Sequence, residues 1–597
     1  MNCTFLRPAP PGAVISQHRT ASMLHRTRSV SLILLVLTFV LAPAQAQHGR
    51  QPVTAKNGMV VSTQYLASEV GRDILAQGGN AVDAAVATAF ALAVVHPSAG
   101  NIGGGGFLIY HGGDGEVTAF NFREKAPLAA SRTMFMDEDG GVDEVKHHGN
   151  LYSTGVPGTV AGLFLAHQKL GSLPWSILVQ PAVQLAENGF PFTRNIMGWQ
   201  SRMLEVAAEN PIYQSTIDAY LKEGGVPHQP GELLVLGDLA ETLKRIRDHG
   251  HDGFYKGETA RLISDFMAEW GGLITEEDLA LYTASEQAPI HGTYRGHDIY
   301  SMSPPSSGGI ALVTMLNLLE PYDLAALGHN SAAYLHLLTE VMRRAFADRA
   351  QYVGDPDFNP DMPVDWLISK DHADDLRASI SMETKSESDE SNFNGFMFEE
   401  SEETTHFSVA DSDGNTVSLT YTLENGFGNS IVVKGGGFLL NNEMGDFNAV
   451  PGVTSRAGHL IGTEPNTVVP QKRMLSSMTP SIVAKDGRPV MAIGSPGGKT
   501  IINTTLQVIL NMLDHDMDMA EAVEAPRIHH EWLPDETDFE SGYFSNDTIE
   551  RFQSYGHEVD YRSSQGRAMG IWIDWDNELK YGAADSRSYM GRAVGYE

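Results

Sequence analysis

Apolar residues recur along this chain at two different periods, and the period changes in blocks. In residues 64–77 (QYLASEVGRDILAQ), Leu66, Val70 and Ile74 are spaced as one face of a helix, and Gly78-Gly79 supplies the stop. Residues 81–95 (AVDAAVATAFALAVV) are apolar on nearly every face, which predicts a helix buried in a layered core. GNIGGGGFLIYHGGDGEVTAFNFRE then reads as a glycine run, a strand, a Gly-Asp-Gly turn and a second strand ending at Arg123. From about 155 to 350 the pattern is mostly helical with polar turns, including SPPSSGG at 303–309. After about 380, SMETKSESDESNFNGFMFEESEE has little apolar content and reads as a flexible, accessible linker (about 383–403). Strand-like alternation follows: HFSVAD and TVSLTYTL around one turn, then GGFLL, then SIVAKDGRPVMAIG as a hairpin on Asp486-Gly487. Helical spacing returns at 500–513 (TIINTTLQVILNML). Strands thus flank a helical periphery on both sides of one acidic joint.

A chain of 597 residues can bury a large core, as two or more domains or one large intertwined one. Its net charge of −33 argues against nucleic acid and anionic membrane as partners, and fits a protein kept soluble in a salty medium. Residues 1–46 read as an export signal: Arg26 and Arg28 precede the apolar run Val30 to Ala42, and Ala44-Gln45-Ala46 has the small-x-small cleavage pattern. That run is short of the roughly 20 residues that span a bilayer, so a periplasmic or secreted protein without a stable membrane anchor is expected. Met23 offers an alternative start with a more ordinary signal. Cleavage after Ala46 removes four arginines and no acid, leaving −37. It also removes Cys3, the only cysteine, so no disulfide, cysteine nucleophile or thiolate metal site is expected in what remains.

Three motifs carry less chemistry than they suggest. Gly103 to Gly106 lacks the Lys-Ser/Thr and the following helix of a phosphate loop, so close backbone packing is the better reading. Ser306 and Ser307 lie between prolines and glycines and read as turn residues. His529-His530-Glu531 lacks H-E-x-x-H spacing and reads as structural. No cofactor or metal is implied.

The joint itself, ESEETTHFSVADSDGN (400–415), suggests a reaction. If the bond between Glu403 and Thr404 is cut, Thr404 gains a free α-amine with an ordinary pKa of about 7.7 to 8.0. That amine can serve as the base that an unactivated threonine hydroxyl lacks.

NFREKAP (121–127), TGVPGTVAGL (154–163), SPPSSGG (303–309), TTHFSVADSDGN (404–415), LLNNEMGDF (439–447), KRMLSSMTP (472–480) and GSPGG (494–498) occur in one order. Together they resemble the γ-glutamyltranspeptidase family of N-terminal-nucleophile hydrolases across essentially the whole chain after residue 46. The resemblance implies an α+β fold, a four-layer αββα sandwich whose central sheets draw strands from both halves of the chain. It also implies self-cleavage at Glu403/Thr404 into a large subunit (47–403) and a small one (404–597), which form a heterodimer. Thr404 matches the nucleophile, and Thr422 a threonine that hydrogen-bonds it. Thr405 and His406 share the motif, with His406 expected to pack or bond locally. Arg123, Ser476 and Ser477 match the clamp for a substrate α-carboxylate, while Glu443 and Asp446 match the residues that hold its α-ammonium. Glu424 falls at a substrate-binding position where some bacterial members carry Asn and others Glu, which implies an extra ammonium ligand, and Gly497 and Gly498 match the oxyanion hole. The segment after Asp446 resembles a lid loop, with Ala457 about where some bacterial members place a gating tyrosine.

The implied reaction removes the γ-glutamyl group from glutathione or related amides as an ester on Thr404, resolved by water or by an amino-acid or dipeptide acceptor. Related acylases act instead on glutaryl-cephalosporins or poly-γ-glutamate. From a different class, an uncut periplasmic amino-acid-binding protein would use Arg123, Ser476 and Asp446 as a clamp without turnover.

Overall fold

The computed structural model describes residues 50–388, 403–452, 455–456, 459–460 and 464–597. The segment read as an export signal, most of the acidic linker and Ala457 therefore lie outside the described residues.

Among the described residues, fourteen strands build two large sheets. Seven precede the joint: β1 (Val53–Ala55), β2 (Gly58–Ser62), β3 (Gly105–His111), β4 (Val117–Asn121), β5 (Ser285–Gln287), β6 (Ile290–Tyr294) and β7 (His297–Ser301). Seven follow it: β8 (Thr405–Ala410), β9 (Thr416–Thr422), β10 (Ser481–Lys485), β11 (Arg488–Ile493), β12 (Met569–Asp574), β13 (Leu579–Ala584) and β14 (Arg592–Tyr596). The first sheet runs β1-β13-β12-β11-β10-β7-β6 and the second β14-β2-β8-β9-β3-β4-β5. Each mixes strands from the two sides of the joint, so neither side can complete a sheet alone.

Helices cover the outer faces, as the buried pattern of 81–95 predicts. Helix α1 (Tyr65–Ala76) and helix α2 (Ala81–Val95) share a core with Leu108, Phe120, Phe407, Val409 and Leu419 of the second sheet. All fifteen residues of α2 are buried, and an Asn80/Asp83 capping box starts it. Helices α3 (Gly308–Leu319), α4 (Ala332–Tyr352) and α5 (Thr500–Leu513) pack with Ile299, Val483 and Met491 on the first sheet. Phe107, Ile109, Ile482 and Ala492 fill the space between the sheets. The layers are helix, sheet, sheet, helix, as the αββα expectation requires.

The hairpin at Asp486-Gly487 is present, and both residues take the positive φ that a two-residue turn demands. GGFLL differs from its strand reading. Gly435 and Gly437 adopt φ of +74° and +73°, and the N–H groups of Gly436 and Gly437 both donate to the Val433 carbonyl, so the chain turns instead of extending. The helical reading of 155–350 missed β5 to β7. The last two form a short hairpin around Arg295-Gly296, and it is held in its sheet by β10, while β5 is held by β4. Among the described residues no helix is long and apolar enough to cross a membrane.

Candidate active site

Side-chain alternation decides which way the joint faces. Phe407 and Val409 of β8 and Val417, Leu419 and Tyr421 of β9 sit in the helix-side core. By the two-residue period, Thr404, His406 and Ser408 on one strand, and Ser418, Thr420 and Thr422 on its neighbour, face the other sheet. Two serines confirm the direction: Ser408 Oγ donates to the Met569 carbonyl at 2.9 Å and Ser418 Oγ to that of Ile493 at 3.1 Å.

Register then builds a row across the end of the sheet. Thr405 pairs with Tyr421, Thr422 with Gly105, and Gly106 with Phe122 through N–H···O bonds of 3.3 and 3.0 Å. One step further out, Thr404, Thr422, Gly105 and Arg123 lie in line on the inner face. Three interstrand steps separate the first from the last, roughly 14 Å of backbone. The glycine run makes the row possible. A Cβ on Gly104 would stand 2.1 Å from the Thr422 carbonyl oxygen and one on Gly106 2.4 Å from that of Thr420, which is the close backbone packing the sequence suggests.

At the joint, Thr404 is 4% exposed and still joined to Glu403. The Thr422 hydroxyl donates to the carbonyl oxygen of Glu403 at 2.9 Å and accepts from the Glu424 N–H at 2.9 Å. The acceptor bond fixes the hydroxyl's orientation, and the donor bond draws charge onto the oxygen of the bond that precedes Thr404. Asn101 holds β9 from behind, donating to the Thr422 carbonyl at 2.8 Å. His406 is a packing residue: its nitrogens lie 2.8 Å from Thr420 Oγ1 and 3.2 Å from Ser408 Oγ, and burial pushes its pKa down to about 3. Its ring fills the space where a Cβ on Gly494 would sit, 2.5 Å away. Thr405 turns to the other face and bonds Thr63 at 2.6 Å.

Gly494 opens the loop that carries Gly497 and Gly498, so His406 seats that loop over the start of β8. Gly497 and Gly498 have φ of +136° and +55° and lead directly into the N-terminus of α5, where backbone N–H groups favour an anion. Thr500 Oγ1 braces the turn by donating to the Gly497 carbonyl at 2.6 Å.

At the other end of the row, Arg123 is buried and ion-paired with both Glu443 and Asp446. It also donates to the carbonyls of Leu475 at 3.1 Å and Met474 at 3.4 Å. Those carbonyls immediately precede Ser476 and Ser477, which the Ser306-Ser307 turn holds: Ser307 Oγ donates to the Ser476 carbonyl and Ser306 Oγ to that of Met478. Arg349 bridges Ser307 Oγ at 2.9 Å and Ser477 Oγ at 3.0 Å. The sequence reading gave the two acids to a ligand's ammonium alone; here they also balance Arg123. Burial opposes the guanidinium's charge, yet Glu443, Asp446 and Glu124 together hold its pKa above the ordinary value. Burial pushes Glu443 up to about 8 against the pull of Arg123. Glu424 joins the group through His148, whose Nε2 lies 3.7 Å from its carboxylate and whose ring packs against Gly445, between the two acids.

The sequence reading missed four participants. Glu124 is wholly buried 3.6 Å from Arg123, and burial pushes its carboxyl up to about 8. Asn441 accepts the Glu443 N–H at 3.1 Å and donates to the carbonyls of Gly103 and Gly155, fixing the acidic turn. Arg349, on a distant helix, and Arg567, which lies before a distant strand and reaches the Glu403 carboxylate at 3.4 Å, carry no local signal. His529, His530 and Glu531 bond Asn503, the Glu536 carbonyl and Lys499. A buried trio, His336, Glu340 and His557, has metal-ligand types close together. His336 bonds His557 and the Ser381 carbonyl, and Glu340 accepts from Arg344.

Two stacked sheets between helix layers, with an inward-facing threonine at the start of a central strand, define the N-terminal-nucleophile hydrolase class. A model of the Gamma-glutamyltranspeptidase family matches residues 67–595, and the chain belongs to that family. The glutathione hydrolase proenzyme of Escherichia coli (strain K12) is 45% identical over 551 residues, covering 91% of this chain and 93% of that protein. The crystal structure of a cephalosporin acylase from Bacillus halodurans superposes with a TM-score of 0.80 at 27% identity, covering 93% of this chain and 99% of that one. A Helicobacter pylori gamma-glutamyltranspeptidase structure matches with a TM-score of 0.51 at 44% identity, covering 57% and 94%.

Proposed function

We propose that this chain is the precursor of an exported γ-glutamyl hydrolase and transferase that acts on glutathione and related γ-glutamyl amides. The observation that carries the reading is the 2.9 Å hydrogen bond from the Thr422 hydroxyl to the carbonyl oxygen of Glu403, the oxygen of the peptide bond that the reading requires to break. In the first reaction Thr404 Oγ attacks the Glu403 carbonyl carbon, and the Glu403–Thr404 amide becomes an ester on the threonine. Water hydrolyses that ester and leaves the large subunit, 47–403 after export, and the small subunit, 404–597. Thr422 stabilises the charge that develops on the Glu403 oxygen.

In the second reaction the new α-amine of Thr404 takes the hydroxyl proton, Oγ attacks a substrate γ-carbonyl, and the γ-amide C–N bond then breaks, its leaving amine taking that proton back from the Thr404 ammonium. Gly497 and Gly498 receive the oxyanion. The substrate's α-carboxylate binds Arg123 with Ser476 and Ser477, and its α-ammonium binds Glu443 and Asp446, with Glu424 beside them. A zwitterionic head group thus meets a buried ion pair of opposite polarity, each charge matched by one already present. The glutamyl ester on Thr404 goes to water or to the amine of an amino acid or dipeptide. No step calls for a cofactor.

Thr422→Val keeps the shape of the side chain and removes the donor. It is expected to slow self-cleavage by about 10²-fold, read as uncut chain on a denaturing gel over time, whereas cleavage at the wild-type rate contradicts the role.

The acylase relative raises a second reading, in which a glutaryl group takes the place of the glutamyl one. Glu443 and Asp446 argue against it, because a glutaryl chain has no ammonium and leaves them facing an apolar methylene. The test compares γ-glutamyl-p-nitroanilide with glutaryl-p-nitroanilide. A preference of at least about 10²-fold in kcat/KM for the glutamyl compound is expected from a lost charge-assisted pair, and equal rates or the reverse order would favour the acylase reading.

A further inference from the structure

Glu403 leaves the nucleophile when the chain is cut, and its side chain has a partner that stays. The two terminal nitrogens of Arg567 each lie 3.4 Å from one oxygen of the Glu403 carboxylate, with both side chains about one-third exposed. Arg567 stands on a fixed base. Its N–H donates to Ser495 Oγ at 2.7 Å, and Ser495 opens the Pro496-Gly497-Gly498 turn. Its neighbour Gly566 has φ of +65° and backs against Gly497, its Cα 3.3 Å from where a Cβ there would be. The guanidinium therefore reaches the residue that precedes the nucleophile, from a backbone seated against the loop assigned to the oxyanion.

Its direction from Thr404 differs from that of the glutamyl clamp. Arg123 is reached from Thr404 through β9, β3 and β4. Arg567 introduces β12, which belongs to the facing sheet and meets β8 where Ser408 bonds Met569. The two arginines thus approach Thr404 from different strands of different sheets, one buried among carboxylates and one matched to a single carboxylate that is bonded to the leaving segment.

We propose that in the cut enzyme Arg567 binds the carboxylate of the group on the far side of the reacting bond. That group is the peptide released from a γ-glutamyl peptide, or the acceptor amino acid or peptide that takes the glutamyl group in its place. The inference rests on the acyl transfer proposed above. In the precursor, the covalent link to Thr404 holds the Glu403 carboxylate at the guanidinium, which raises its effective concentration there. Hydrolysis of the ester removes that link, and a guanidinium fork suited to a carboxylate then stands next to the reacting bond. A substrate with a carboxylate at each end engages both arginines, and one with an uncharged leaving group engages only Arg123.

The experiment measures kcat/KM for glutathione and for its C-terminal glycinamide analogue, which differ only in that distal charge, in the wild-type enzyme and in Arg567→Gln. The wild type is expected to prefer the acid by about tenfold, a partly solvated charge-assisted pair, and the preference is expected to fall to about one in the variant. A wild-type ratio near one overturns the proposal, and so does a preference that persists in Arg567→Gln. If Arg567→Gln fails to mature, the wild-type ratio, measured also at high salt where the pair is screened, decides alone: a preference that shrinks with salt supports the proposal, and no preference or a salt-independent one overturns it. A wild type that matures and cleaves γ-glutamyl-p-nitroanilide with no acid preference sinks this inference and leaves the proposed function standing. A wild type that cleaves no γ-glutamyl compound overturns both.

Discussion

Thr404→Ala yields a single uncut chain with no measurable γ-glutamyl transfer. Both reactions are assigned to one oxygen, so removing it stops the first and with it the second, and the loss in rate is expected to exceed about 10³-fold. The neighbours give no substitute. Thr405 points to the opposite face and bonds Thr63. His406 is buried and bonded to Thr420 and Ser408, and its pKa of about 3 keeps it neutral. The folded core should survive, because alanine at a buried strand edge removes only a hydroxyl and a methyl group. A thermal melt within a few degrees of the uncut wild-type chain checks that point, and a denaturing gel with an activity assay checks the main one. Two normal subunits in the alanine variant would overturn the nucleophile assignment.

The second large effect is at Arg123. Arg123→Gln leaves the buried Glu443 and Glu124 and the partly buried Asp446 around a neutral group, and breaking a buried pair by removing one partner typically costs about 3–5 kcal/mol. Part of that cost is met by protonation, since Glu443 and Glu124 already lie near 8. For the surviving folded enzyme, loss of the charge-assisted fork is expected to lower kcat/KM for a γ-glutamyl donor by about 10²-fold, expressed mainly in KM. Arg123→Lys should recover little of it, because one ammonium cannot span Glu443, Asp446 and the carbonyls of Met474 and Leu475 together. Steady-state kinetics on both variants, with melting curves alongside, read the two effects separately. A wild-type KM in Arg123→Gln contradicts the clamp.

Much of this was legible locally. The alternation around Thr404 and Thr422 placed β8 and β9 to within a residue, and the all-apolar run at 81–95 announced a helix covered on every side. The Asp486-Gly487 turn fixed its hairpin because the turn chemistry lies in the two residues themselves. What the sequence withheld depends on partners far along the chain. Glu124 looks like an ordinary charge after a strand until Gly105 and Gly155 close over it. Arg567 is 164 residues from Glu403, and Arg349 is 128 from Ser477. The short strands β5 to β7 carry little periodicity, and the contacts that seat them, with β4 and β10, are also distant in sequence. GGFLL misled in the opposite sense: its leucines fit a strand, but its glycines supply the turn.

Everything proposed for the site depends on the chain cutting itself before Thr404 and working from the new terminus. The direct measurement is N-terminal sequencing of the smaller band from the purified wild-type protein on a denaturing gel. Two bands are expected, the smaller beginning Thr-Thr-His-Phe-Ser. A single intact chain with γ-glutamyl transfer activity, or a small subunit that begins at any other residue, would contradict it.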